Sequence, residues 1–463
     1  MLRLPIHEDA RGWFKEAWQR RTMTALGLPD FGPVQHNISY NTARGVTRGI
    51  HAEPWDKLVG AVTGRVLGAW VDLREGATFG TTVTVEVDRA VAVFVPRGVG
   101  NAFQTLEDGT AYSYLVSEHW RPDAAYLGVD LADPDLGIDW PIPPAQAVIS
   151  DKDRTQPRLA EVTPISRRTP LVLGAAGRLG RALVAALPGA TALTRADLDI
   201  TDEAALAAYD WSQHDVVVNA AAMTAVDHAE TDDGRREAWA ANAHAPATLA
   251  RLALEHRLTL VHYSTDYVYD GRLEEHTEDE GVAPLGVYGQ SKAAGDLAVS
   301  VAPRHYVLRT SWLVDDGPAT GPDGYGEDEG GRSGFVATMT DLARRGASPT
   351  VVDDQVGRLT TTTELARATA DLLAAEAPFG TYHVTGEEPP RSWAQIARDV
   401  FAAEGRDPAD VAPVSSAAWA ASRPGPVAPR PRHSTLDLAR FRRATGSGER
   451  RDETGPGPEP LTD

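Results

Sequence analysis

The 463-residue sequence predicts two folds in tandem: an all-β sandwich or barrel over residues 1–160 and an α/β parallel sheet over residues 170–443. Two textures carry this reading. Residues 31 to about 160 run as short β-type stretches cut by Gly, Pro and Asp turns, such as Lys57-Leu58-Val59-Gly60-Ala61-Val62 and Val91-Ala92-Val93-Phe94-Val95-Pro96. From Pro170 onward, apolar runs (Leu171-Val172-Leu173, Val216-Val217-Val218, Leu260-Val261-His262) alternate with alanine-rich stretches of helical spacing such as 237–254. Residues 161–169 lack either period and read as a linker.

Composition narrows the function. A chain that is 42% hydrophobic and 24% charged is globular, and its formal net charge of -20 argues against nucleic acid as a bulk partner. With no cysteine, disulfides and thiolate metal sites are excluded. The first residues carry no apolar signal-peptide core, and no run is long and apolar enough for a membrane span, so a cytoplasmic protein without membrane contact is expected. The Gly- and acid-rich stretch 315–333 and the tail 444–463 are expected to be mobile, and there is no internal repeat.

In the first half, Asp9 to Glu16, Val34 to Asn37, Arg48-Gly49-Ile50-His51, Lys57-Leu58-Val59 and Ser150 to Asp153 together resemble the dTDP-4-dehydrorhamnose 3,5-epimerases. The resemblance implies a cupin-like jelly roll. Hydrogens at C3 and C5 of the implied substrate flank a C4 ketone, so their removal needs a base, a cation for the enolate oxygen and an acid on the other face. His51 oriented by Asp153 fits the base, Lys57 and Arg48 the cation, and Tyr114 the acid. By the same analogy Arg11, Glu16, Gln35, Asn37, Asn101 and Trp120 meet the sugar nucleotide, Asn101 and Trp120 standing where relatives often carry His and Tyr. Read alone, His51 is more often a satisfied barrel histidine; Arg-Gly-x-His and the distant Asp153 reverse that in favour of catalysis. One histidine in this motif is too few for a metal, and none is expected. Lys15 and Lys152 read as solvated surface residues, and Trp13, Trp55, Trp70, Trp140, Trp239 and Trp393 as packing.

In the second half, Leu171-Val172-Leu173 runs into Gly174-Ala175-Ala176-Gly177-Arg178-Leu179-Gly180 and then a helical stretch. Strand, glycine turn and helix in this order make a Rossmann-type, doubly wound dinucleotide site, with pyrophosphate at the helix N-terminus. Gly174, Ala176, Gly177, Arg178, Leu179 and Gly180 are its residues. The next strand ends in Arg195 instead of an acid; Arg195 either meets a 2'-phosphate, favouring NADPH over NADH, or is a solvated residue, with Asp199 and Ile200 near the adenine. Only four lysines stand in the chain, and one closes Tyr288-Gly-Gln-Ser-Lys292. At positions i and i+4 of a helix an ammonium shares a face with a phenol, which favours the phenolate. Thr265, at the end of the strand after Leu260, is placed to bond a substrate carbonyl.

Asn219 to Asp227, Ser264 to Gly271, Arg309-Thr310-Ser311-Trp312, Val352 to Gln355 and Arg430 to Ser434 resemble the dTDP-4-dehydrorhamnose reductases, within the extended short-chain dehydrogenase/reductases. The resemblance implies a Thr265, Tyr288, Lys292 triad with Tyr288 protonating the C4 oxygen. It implies cofactor contacts at Ala220, Ala221 and Ala222, sugar-nucleotide contacts at Thr224, Val226, Asp227, Asp266, Tyr267 and Trp312, and a small substrate-binding subdomain. Sibling 4,6-dehydratases carry Asp-Glu after the threonine; here Asp266 is followed by Tyr267, which favours reduction. Mg2+ in this half and a homodimer through the barrel are implied by resemblance only. The expected protein is a fusion that epimerises a dTDP-4-dehydro-6-deoxy sugar at C3 and C5 and then reduces C4. The alternatives keep the reductase with a non-catalytic barrel for binding or dimerisation, or make the chain a sugar-nucleotide sensor.

Overall fold

The computed structural model describes residues 1–121, 126–315 and 334–447. All of the expected 315–333 insertion except Asp315 lies outside the described residues, as does the tail beyond Ser447. The chain divides into two compact units, Met1–Arg167 and Arg168–Asp463.

The first unit holds two five-stranded antiparallel sheets. One runs in the order Leu2–Arg3, Val91–Val95, Lys57–Thr63, Thr110–Val116 and Gln35–Asn41. The other runs Leu127–Gly128, Thr47–Ala52, Val99–Thr105, Val66–Asp72 and Thr82–Val87. Because side chains alternate between the faces of a strand, each sheet offers an inner row. Val59, Ala61 and Tyr112 from one sheet meet Trp70, Val87 and Phe103 from the other. Behind the second sheet, Ile50, Ala52, Val71 and Leu73 form another core with Val129, Leu131 and Val162. His51 stands between Ile50 and Ala52, and so faces the opposite way from that outer core.

The linker reading of 161–169 needs correction. Glu161 ends a short 3-10 turn, Val162 is buried in the barrel core, and Ile165 bridges Arg74, so these residues belong to the first unit. Thr169 already opens the first strand of the second unit. Two isolated apolar residues show no periodicity, which is why the sequence hid them. Trp55 and Trp70 are buried, whereas Trp13 and Trp239 are exposed and do not pack as expected.

The second unit centres on six parallel strands in the order Thr191–Leu193, Thr169–Leu173, His214–Asn219, Thr259–Thr265, His305–Thr310 and Gly380–His383. Alternation again sorts the strands' side chains. Leu171, Leu173, Val217 and Leu260 pack under Leu249, Leu252 and Ala253 of the helix Ala245–His256. Val172, Val218 and Val261 pack on the other face with Leu183 of Arg178–Ala186 and Leu365 and Leu372 of Thr362–Ala374. The order reverses between Thr169–Leu173 and His214–Asn219, which opens a crevice at their C-terminal ends. A smaller cluster, with Met339, Val351, Ala397, Phe401 and Val411, joins the helices Phe335–Arg344 and Trp393–Ala403 to short strands. The expected tail from 444 begins inside a helix, Ala439–Thr445, with Ala444 packed on the main core; left-handed Gly446 ends it.

Candidate active sites

In the first unit a cavity of about 710 Å³ opens between the two sheets. His51 lines it from one sheet; Lys57, Tyr114, Gln35 and Asn37 line it from the other. Nε2 of His51 is 2.8 Å from Oδ1 of the buried Asp153, which sits in the short helix Asp151–Arg154 capped by Ser150. Burial opposes ionisation of Asp153, but hydrogen bonds from His51 and Gly49 N–H outweigh it and hold its carboxyl below the ordinary value. An ionised carboxylate only accepts, so Nε2 donates to Asp153 and Nδ1 keeps the lone pair that a base needs. Burial pushes the Lys57 ammonium down to about 7, and the side chain pairs with Glu53.

Seven sequence-assigned residues therefore gather: His51, Asp153, Lys57, Tyr114, Gln35, Asn37 and Trp120, with Asp153 directly behind the histidine. Four do not. Arg48 is exposed and does not line the cavity; its Nε donates to Asn41 Oδ1 at 2.9 Å. Asn101 pairs across from His51, but its Oδ1 is held by Trp70 Nε1 at 2.9 Å. Arg11 is exposed and paired with Asp9, and Glu16 is exposed outside the cavity. Lys152, expected to be solvated, lines the cavity, while Lys15 donates to the carbonyls of Ala61 and Arg89 at 2.8 Å each. Glu53, which also lines the cavity, escaped the sequence reading; its spacing from His51 was the available signal.

In the second unit Gly177 caps the helix Arg178–Ala186 with no side chain bonded to its free N–H groups. A Cβ on Gly174 would meet Ala221 N at 2.8 Å, and one on Gly180 would meet Gly174 O at 2.2 Å, so turn and helix close to bare backbone. Ala220 N bonds Leu173 O, Ala221 N bonds Asn219 Oδ1, and Ala222 is exposed beside them. Ala176 O accepts from Arg181, and Arg178 faces Asp315 at 3.9 Å. This cradle fits a dinucleotide pyrophosphate. Leu179 and Ile200 are core residues rather than a ligand face, and Arg195 is exposed, its Nε bonded to Asp199 at 3.0 Å.

Strand Thr259–Thr265 is buried throughout and delivers Thr265 to the sheet's C-terminal edge, where its Oγ1 caps the turn Asp266–Val268. The helix Val287–Val299 brings Tyr288 near Thr265, whose Oγ1 donates to Asp266 Oδ1 at 2.9 Å, and to Tyr267, whose ring stands edge-on at 5.8 Å. Val226, Tyr267 and Tyr288 line a narrow crevice. Asp227 accepts from Arg430 at 2.9 Å, Thr224 is exposed, and Trp312 is stacked on Trp393 at 3.8 Å. Burial raises buried Asp266 to about 6.

The surroundings of Tyr288 oppose the phenolate that the Lys292 spacing favours. Burial raises the Tyr288 hydroxyl, and Asp266 and Tyr267 add to the rise. Helical spacing puts Lys292 on the same face, but its ammonium reaches the carbonyl of Tyr263 at 2.5 Å and lies 3.5 Å from His262 Nε2. Burial pushes Lys292 down to about 8, against the nearby Asp296. Sequence reading also missed Asn242, in a π-turn at Ala240–His244, which bonds both backbone groups of Met223 and the hydroxyl of Ser291. Among the described residues no group of three or more His, Asp or Glu side chains is placed to hold a metal, so the implied Mg2+ has no ligand set there. No helix among them is long and apolar enough to cross a membrane.

Residues 168–453 match the family model described as RmlD substrate binding domain, and residues 1–161 match that of dTDP-4-dehydrorhamnose 3,5-epimerase. The chain is similar to an RmlC homolog of Streptococcus pyogenes, 46% identical over 35% of this chain and 85% of that protein. It is also similar to the dTDP-4-dehydrorhamnose reductase of Streptomyces griseus, 40% identical over 61% of this chain and 90% of that one. The Bacillus anthracis reductase solved in complex with NADP covers 60% of this chain and 92% of its own, at 29% identity and a TM-score of 0.52.

Proposed function

We propose that this chain, which belongs to the dTDP-4-dehydrorhamnose 3,5-epimerase family over residues 1–161 and to the RmlD substrate binding domain family over residues 168–453, converts dTDP-4-dehydro-6-deoxy-D-glucose to dTDP-L-rhamnose in two steps. The observation that carries it is the pairing, in one chain, of a cavity walled by His51 and Tyr114 on opposite sheets with a Thr265–Tyr288 site beside a glycine cradle.

In the first step Nδ1 of His51 takes a proton from C3, and then from C5. The C–H electron pair moves into the ring and leaves negative charge on the C4 oxygen, where the Lys57 ammonium offsets it. Tyr114, across the cavity, returns a proton to the other face, which inverts each centre. Gln35, Asn37 and Trp120 bind the sugar nucleotide along the cavity wall. In the second step the Tyr288 hydroxyl gives its proton to the C4 oxygen while Thr265 holds that oxygen in place. NADPH, when bound at Gly174 to Gly180, supplies the hydride that reduces C4; the NADP-bound relative supports this cofactor. The raised affinity of Tyr288 for its proton keeps it a donor at neutral pH. Lys292, poised near 8, supplies the positive charge that the resulting phenolate requires. Assembly as a homodimer through the barrel belongs to the same proposal, supported by exposed Ile38 and Tyr40 on the edge strand Gln35–Asn41.

The test is incubation with the 4-keto sugar nucleotide and NADPH in D2O, followed by absorbance and NMR of the product. Deuterium at both C3 and C5 of a rhamnosyl product, lost with His51→Ala, is the expected result. Cofactor oxidation without deuterium would leave the barrel a non-catalytic module.

A further inference from the structure

Lys57 stands in an unusual place for a cation. Its side chain is 6% exposed, and its strand neighbours are Val95 and Val116. Strand Val91–Val95 brings no ionisable side chain to it, and strand Thr110–Val116 brings only Tyr112 and Tyr114. The other charged or titratable groups on the cavity are already committed or have the wrong sign. His51 is bonded to Asp153, His36 to Ser113 at 2.7 Å, and Lys152 is a like charge. Asp56, next in the chain, takes the backbone N–H of Arg97. Tyr126 is 38% exposed and donates its hydroxyl to Arg121 O. Glu53 is the one carboxylate on the cavity wall among the described residues, and it pairs with Lys57.

The local fold makes this pairing. Glu53 follows His51 by two residues, which returns it to the same side of the extended chain. The turn that follows is pinned: Gly98 N–H donates to Glu53 O, Ser117 N–H to Asp56 O, and Trp55 packs edge-on against Tyr126 at 5.6 Å. Base, carboxylate and cation thus reach one cavity from seven consecutive residues, His51 to Lys57.

We propose that Glu53 is a positioning residue for Lys57: its carboxylate keeps the buried ammonium charged and aimed into the cavity, ready for the oxygen that gains negative charge when His51 takes a proton. The inference rests on the epimerase reading of the barrel. Burial draws Lys57 down to about 7, close to working pH, where a carboxylate held against the ammonium bears directly on its charge. A neutral amine would have little electrostatic hold on an enolate.

The experiment is deuterium wash-in at C3 and C5 on the full chain without NADPH, as a function of pH, for the wild type, Glu53→Gln and Glu53→Asp. Removing the carboxylate lowers the proton affinity of Lys57. The expected result for Glu53→Gln is an alkaline limb moved to lower pH by about one unit, hence an exchange rate about tenfold lower on that limb. KM is expected to change less than the alkaline limb, and Glu53→Asp to restore the limb. In a Lys57→Met background, Glu53→Gln is expected to cost nothing more, since its effect runs through Lys57. An unmoved limb, or a further loss in the Lys57→Met background, would overturn the inference and leave the epimerase reading intact. Absence of exchange in the wild type would instead overturn both. Should Glu53→Gln fail to fold, Glu53→Ala takes its place: an alkaline limb at lower pH supports the inference, and an unmoved one sinks it.

Discussion

In the proposed reduction Tyr288 and Lys292 divide the labour of one proton. With its hydroxyl raised by burial, Tyr288 is a firm store of that proton, and removing the hydroxyl removes the donor. Tyr288→Phe is therefore expected to slow NADPH oxidation by about 10²–10⁴-fold while deuterium wash-in at C3 and C5 continues. Lys292 draws its remaining proton affinity from Asp296, one helical turn on and paired with Arg309 at 3.0 Å. Asp296 favours the charged ammonium, so its loss lowers the folded value below about 8; charged Lys292 then survives only to lower pH. In Asp296→Asn the alkaline limb of kcat is expected to move to lower pH. Because Arg309 stays buried without its partner, the melting temperature is expected to fall as well, by a loss of about 3–5 kcal/mol. An unchanged limb with a lowered Tm would mean that Asp296 is purely structural.

Elements explain which of these residues could be read ahead of the structure. The strand, glycine turn and helix at 169–186 were legible because a local pattern of bare backbone specifies them. The pairing of His51 with Asp153 needed two motifs about a hundred residues apart, and composition alone could not have joined them. Arg48 was misplaced because its guanidinium reaches Asn41, on a strand of the facing sheet, and that pairing is invisible in a lone sequence. Asn242 was missed because a π-turn changes which side of the helix a residue faces. The helix Val287–Val299 lies close enough to that turn that a Cβ on Gly295 would meet Asn242 O at 2.1 Å. Gly295→Ala is expected to push the helix outward, at a cost of about 1–3 kcal/mol by overpacking. Thermal unfolding would register the loss, and reductase kcat would fall with it, since the helix carries Tyr288 and Lys292. A variant with full stability and kcat would show that the helix tolerates the added methyl.

At the scale of the whole chain, each unit encloses its own hydrophobic clusters, those around Phe103 and Ile50 in the first and those on either face of the parallel sheet in the second. A chain built this way need not unfold in one step. Calorimetry is expected to show two transitions, and separate expression of residues 1–167 and 168–463 to give two folded proteins. A single transition with insoluble fragments would contradict the division. Acid is expected to reach the barrel's transition through Asp153. Its folded value is depressed, so its contribution is present above the ordinary carboxylate value and is lost as pH falls through the lower, folded one.

The scarcity of lysine has a practical consequence. Of four amines in the side chains, two are held deep in the two proposed sites, Lys57 at about 7 and Lys292 at about 8, and every other basic side chain but Lys15 and Lys152 is an unreactive guanidinium or an imidazole. With Lys15 and Lys152 changed to arginine, amine-directed isotopic labels on side chains would report from the epimerising and reducing centres alone, each with its own titration, so that both halves of one intact molecule become spectroscopically visible at once.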